Sequence, residues 1–74
     1  MEPKNSIKLT EQEKNVAAMV AKGKKDKEIA YELFISRRRV GEIIFHIKQK
    51  FHINSRVEIG ILAYQLNLLE KKII

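Results

Sequence analysis

Apolar residues recur along this chain at spacings of three and four rather than two, and from residue 9 onward the pattern divides into four segments. Thr10-Glu11-Gln12-Glu13 has the spacing of a capping box, with Thr10 capping and Glu13 reaching back. Val16, Met19 and Val20 carry an apolar face on to Gly23, where glycine ends the first helix. Ile29, Ala30 and Leu33 share one face of a second helix. It opens at Asp26, a cap or first-turn residue whose charge suits the positive helix start, and runs to about Leu33. Ile35 can plug the corner beyond it, and Ser36 is placed to cap a third helix from Arg37 to about Phe51. After His52-Ile53-Asn54, Ser55-Arg56-Val57-Glu58 is a second capping box, opening a fourth helix through about Leu69, with Lys71 and Lys72 suited to its negative end. No stretch alternates with period two, no repeat appears, and the one proline is Pro3. An all-α domain at 9–74 follows, preceded by a short flexible arm at 1–8 that ends where Ile7 or Leu9 packs.

The order of segments within 26–40, a short helix, a tight apolar turn and a capped basic helix, is that of a helix-turn-helix DNA reader. On the third helix Val40, Ile44, Ile47 and Phe51 form the expected buried stripe, with Ile43 flanking it. Arg38, Glu42, Phe45 and Gln49 then point directly away from the core.

Charge strengthens this picture. Fifteen Lys and Arg against nine Asp and Glu give +6, which favours nucleic acid, an acidic protein or an anionic membrane surface as partner. The absence of Cys removes disulfides and thiolate metal sites, and two His without clustered carboxylates do not make a zinc site. We therefore expect no cofactor and no metal. No nucleophile stands with a base and an orienting partner, and no glycine loop cradles phosphate, so an enzyme is not expected. No apolar run approaches the ~20 residues that span a bilayer and the start carries no signal-peptide core, so a cytoplasmic location without membrane association is expected.

Leu9-Thr10 with Glu13 and Val16, Gly23, Lys27-Glu28-Ile29-Ala30 with Leu33, Ile35-Ser36 with Val40, Ile44 and Ile47, then Lys50, Ile53 and Ser55-Arg56 with Glu58 together resemble the LuxR/GerE-type helix-turn-helix family across 9–69. The resemblance implies a four-helix domain, here a stand-alone member, that places helix three in the major groove and pairs through helix four. It also marks departures, since Arg39, Gly41 and Ile43 stand where members usually carry a small hydroxylated residue, a Lys and often a His.

Candidate contacts to double-stranded DNA follow residue by residue. Arg37, Arg38 and Arg39, behind the cap Ser36, can neutralise phosphates, and the outward Arg38 can make a bidentate contact to guanine. Gln49 can pair with adenine and Phe45 can meet thymine methyls, or serve as a protein contact. Glu42 can accept from cytosine N4, or pair on the helix surface with Arg38 or His46. Lys25 and Lys27, with Lys24, sit where a second helix crosses the backbone. Lys48, Lys50 and Arg56 can extend the basic surface, and Arg56 can alternatively bond a carboxylate or carbonyl near a cap. Helix four carries two apolar stripes, Ile59, Leu62, Ala63 and Leu66 beside Ile61, Tyr64 and Leu68. One should pack inward and one should pair, with a dimer interface expected at Ile61, Leu62, Tyr64, Gln65 and Leu68. The expected function is a small homodimeric transcriptional regulator. The alternative is a protein-interaction module, an antagonist that pairs through helix four with a related full-length regulator and has lost base reading.

Overall fold

The computed structural model describes residues 8–69. Residues 1–7 of the expected arm at 1–8, and Lys71 and Lys72, lie outside the described residues. Within them the chain is all-α, with α1 Glu11–Ala21, α2 Asp26–Leu33, α3 Arg37–Phe51 and α4 Arg56–Gln65, and no strand. None of these helices is long and apolar enough to cross a membrane.

Both capping boxes form. Thr10 Oγ1 accepts from the Glu13 N–H at 3.1 Å while Glu13 Oε1 accepts from the Thr10 N–H at 2.9 Å. Ser55 and Glu58 exchange the same pair of bonds at 3.2 and 3.1 Å. Ser36 caps α3 by accepting from the Arg39 N–H at 2.9 Å. Asp26 is a first-turn residue of α2 rather than its cap. Lys25 holds the cap position, and its N–H donates to the Glu28 carboxylate at 2.7 Å. These bonds satisfy backbone donors that a helix start otherwise leaves to water.

The four helices end alike. Gly23, Phe34, His52 and Asn67 take left-handed backbone with φ of 84°, 58°, 54° and 58°. The N–H of each following residue then reaches back to a carbonyl of the last turn: Lys24 to Met19, Ile35 to Ala30, Ile53 to Lys48 and Leu68 to Ala63, at 2.9 to 3.0 Å. This is the Schellman closure, in which an apolar residue just past the end folds back onto its helix. Ile35, Ile53 and Leu68 do so here, all packed against the core. The closure at Asn67 also corrects the expected end of helix four, which stops at Gln65 and not near Leu69. Leu66, Leu68 and Leu69 continue the apolar content without continuing the helix, because asparagine tolerates the left-handed conformation and turns the chain there.

Val16, Ala17, Ile29, Val40, Ile43, Ile47, Ile59 and Ala63 are essentially sealed from solvent and form one core. Burial of an isoleucine of this kind contributes about 1.5 to 3 kcal/mol. Ile43 belongs to this sealed set, while Phe51 is only half-buried at its margin. Leu9 closes the start of the chain against the same cluster. The principal contacts run in series, α4 on α1, α1 on α3 and α3 on α2. At Gly60 an added Cβ would lie 3.5 Å from Ala21 Cα, so α4 crosses α1 at close range.

Candidate nucleic-acid interface

With Val40, Ile43, Ile44 and Ile47 turned into the core, the opposite side of α3 carries Arg38, Glu42, Phe45 and Gln49, all exposed. These four positions therefore point away from the core, as the helical spacing predicts. Phe45 is 56% exposed, and its ring lies 6.1 Å from that of His46 at a tilt of 53°. Gly41 is exposed beside them, and nothing lies within 4 Å of where its Cβ would be. No packing demand among the described residues accounts for glycine there. Lys48 is half-buried at the edge of an open cleft of about 510 Å3 that also takes in Phe45, Gln49 and His52.

The three consecutive arginines do different things. Arg37 has no bonding partner among the described residues, and Arg38 makes only a loose ion pair with Glu42 at 4.0 Å. Arg39 is tied down, donating to Glu42 Oε1 at 3.3 Å and to Gln12 Oε1 of α1 at 3.2 Å. Glu42 thus sits between two guanidinium groups on the helix surface. That agrees with the pairing reading for Arg38, whereas His46 is not its partner. Gln12 was not a sequence candidate. Its bond spans 27 positions, and no local spacing announces it.

At the start of α2, Lys25 and Lys27 are exposed, and their side chains bond nothing among the described residues. Lys24 is engaged: its ammonium donates to Glu32 at 2.8 Å, and the hydrogen bond and charge of that carboxylate hold the lysine above its ordinary pKa. Arg56 takes the structural alternative, with one nitrogen 2.7 Å from Asp26 Oδ1 and another 3.0 Å from the Lys24 carbonyl oxygen.

Lys50 does not extend the basic surface. Its ammonium donates to Glu13 at 2.6 Å and to the Lys8 carbonyl at 3.1 Å, so an end of α3 is fastened to the entry of α1. Burial pushes the Glu13 carboxyl up, but the Lys50 hydrogen bond, the Thr10 N–H and the Lys50 and His46 charges outweigh it and hold the group below its ordinary value.

On α4, Ile61, Tyr64 and Gln65 are exposed, whereas Leu62, and Leu68 just beyond the helix, are half-buried against the core. The expected pairing set is thus split between surface and interior. Val57, 72% exposed, lies at i, i+4 and i+7 with Ile61 and Tyr64 and completes the outward apolar stripe. That spacing was present in the sequence. Two further aromatics stand open, Tyr31 and Phe34, the latter 93% exposed at the turn between α2 and α3.

Residues 8–63 match the family described as bacterial regulatory proteins, luxR family. The chain is similar to the "Transcriptional regulatory protein YdfI" of Bacillus subtilis (strain 168), 39% identical over 66 residues that make up 89% of this chain and 31% of that protein. It is also similar to the "Uncharacterized transcriptional regulatory protein YhcZ" of the same organism, 34% identical over 67 residues, 90% of this chain and 31% of that protein. The chain therefore spans about a third of the length of these relatives.

Proposed function

The chain belongs to the luxR family of bacterial regulatory proteins, and on that premise we propose that it is a cytoplasmic, dimeric, DNA-binding regulator of transcription that lays α3 in the major groove. The observation that carries this reading is the division of α3. One side is the protein's core, and the other presents Arg38, Glu42, Phe45 and Gln49 for a use the fold does not require. Fifteen helical residues extend about 22 Å, and B-DNA's major groove admits such a helix. Arg38 and Gln49 are the base readers, with Phe45 against thymine methyls, while Arg37, Lys25 and Lys27 hold phosphates. Arg39, engaged by Gln12 and Glu42, orients α3 against α1.

Two copies pair through the outward stripe of α4, Val57, Ile61 and Tyr64, with Gln65 beside it. This sets two α3 helices about one helical turn of DNA apart, roughly 34 Å, on a pseudo-palindromic site. A second reading has one observation in its favour: an exposed phenylalanine and a carboxylate lie at the centre of the outward face. That composition suits a protein surface as well as a groove, and under this reading α4 pairs with a related full-length regulator.

The deciding experiment is a fluorescence titration of the protein against selected and random duplexes over a salt series, with sedimentation to establish the oligomeric state. A regulator binds a selected palindrome far more tightly than random DNA, and log K falls by about 0.9 per neutralised phosphate per decade of salt. Weak, sequence-blind binding by a monomer overturns it in favour of the second reading.

A further inference from the structure

The series of helix contacts leaves α2 and α4 at its two ends, yet one side chain joins them. Arg56, the first residue of α4, reaches the first residue of α2 through Asp26 and the α1–α2 turn through the Lys24 carbonyl, at 2.7 and 3.0 Å. Beside this junction lies an open cleft of about 480 Å3 whose wall includes Lys24, Lys25, Asp26, Arg37 and Arg56. Four cations and one carboxylate line it, and the internal pairings sort them. Arg56 neutralises Asp26, and Lys24 neutralises Glu32. Lys25 and Arg37 are left with their charges uncompensated among the described residues, on two different elements that face one opening.

We propose that this cleft seats a backbone phosphate of duplex DNA between Lys25 and Arg37, and that Arg56 is a positioning residue that holds the seat together from α4. The inference rests on the DNA-binding reading of the previous subsection and adds to it a defined phosphate site and a residue that acts through others. Phosphate is the ligand whose chemistry fits. The seat is cationic and open to solvent on a protein of charge +6, and its two free donors can approach one tetrahedral oxyanion from different sides. Asp26 would repel that anion if left bare. Arg56 removes the repulsion and, by holding two points of the turn at once, fixes the direction in which Lys25 leaves the backbone. A lysine at 56 keeps the charge but, lacking the planar fork, cannot hold both acceptors in this geometry.

The test is a salt-series anisotropy titration with a fluorescein-labelled mixed-sequence duplex, read well below the melting temperature of each variant. The proteins are the unaltered chain, the pair Lys25→Gln/Arg37→Gln, Arg56→Lys, and the three changes combined. The seat requires the pair to lower the slope of log K against log salt by about 0.9, one phosphate. The positioning role requires Arg56→Lys to weaken binding by about three- to tenfold in the unaltered chain, yet by less than about twofold once Lys25 and Arg37 are gone, because coupled residues do not add. An unchanged slope in the pair overturns the seat. An Arg56→Lys chain that binds as before, or a loss that adds in full to that of the pair, overturns the positioning role. If the unaltered chain shows no salt-sensitive binding at all, the regulator reading falls and takes the seat with it.

Discussion

Lys50 Nζ lies 2.6 Å from Glu13 Oε1, pairing a residue near the end of α3 with the residue that closes the capping box of α1. Glu13 is 7% exposed and is the one buried charged residue among those described. Its carboxylate accepts from both the Lys50 ammonium and the Thr10 N–H, so helix capping and tertiary packing share one group. Lys50→Met strands that carboxylate, and we expect a loss of about 1 to 3 kcal/mol in chemical denaturation. Because the folded state holds Glu13 below its ordinary pKa of 4.5, its contribution is fully present above that value and is lost as pH falls through the folded pKa. The melting temperature of the unaltered protein should therefore drop more steeply below about pH 4.5 than that of Glu13→Gln. Parallel acid profiles for the two would refute this.

Phe34 combines left-handed backbone, φ 58°, with 93% exposure. A non-glycine residue in that region costs of order 1 kcal/mol, and a side chain this exposed recovers little by packing. Phe34→Gly should raise stability by about 0.5 to 1 kcal/mol, read as a higher denaturant midpoint at unchanged slope.

Gly41 has open space where a Cβ would go, and it sits inside a helix. Gly41→Ala should stabilise the protein by about 0.5 to 1 kcal/mol. The same variant should bind DNA less tightly if the duplex approaches the α3 backbone at this position. A gain in melting temperature together with weaker duplex binding is the expected pair of results.

Glu42 takes both Arg38 and Arg39, at 4.0 and 3.3 Å, on the face assigned to DNA. Glu42→Gln removes a charge that repels phosphate and frees both guanidinium groups, so duplex binding at low salt should strengthen several-fold. Phe45→Ala should instead alter the order of preference among selected sites, most at positions bearing a thymine methyl. A selection repeated with each variant reads both effects, and a Glu42→Gln protein that binds more weakly would count against the groove assignment.

Ile61 is 52% exposed in the middle of the outward α4 stripe, and Val57 and Tyr64 flank it on the same face. Ile61→Asp should abolish pairing in sedimentation experiments while changing monomer stability by less than about 0.5 kcal/mol, as expected of a surface position. Leu62→Asp, at a half-buried core position, should instead lower stability.

The helices were legible because their signals are local. Thr10 with Glu13 and Ser55 with Glu58 stand at the three-residue spacing that a first turn requires. Val40, Ile44 and Ile47 repeat at the spacing that one helical face requires. The end of α4 was misjudged for the same reason. The apolar residues at 66, 68 and 69 look like a continuing face, and only the left-handed Asn67 shows that the chain has already turned. The outward face of α3 followed directly from its buried stripe, because the two are complements on one cylinder.

The fates of the basic residues were a different matter. By composition Lys25, Lys50, Arg37, Arg39 and Arg56 are interchangeable members of a cationic surface. In the folded protein Lys50 serves a buried carboxylate, Arg39 a glutamine of α1, and Arg56 the start of α2, while Lys25 and Arg37 stay uncommitted among the described residues. The sequence by itself determined where the helices start, the caps of α1, α3 and α4, and the buried stripe of α3 with the side it offers, since all of these depend on neighbours within a turn or two, but it left open which apolar stripe of α4 packs inward. Only the tertiary structure decided which charges are free to meet a partner. A long cationic side chain takes whatever acceptor the packing brings within about 3 Å, and for the tertiary bonds of Arg39, Lys50 and Arg56 that acceptor stands 27 to 42 residues away in the chain.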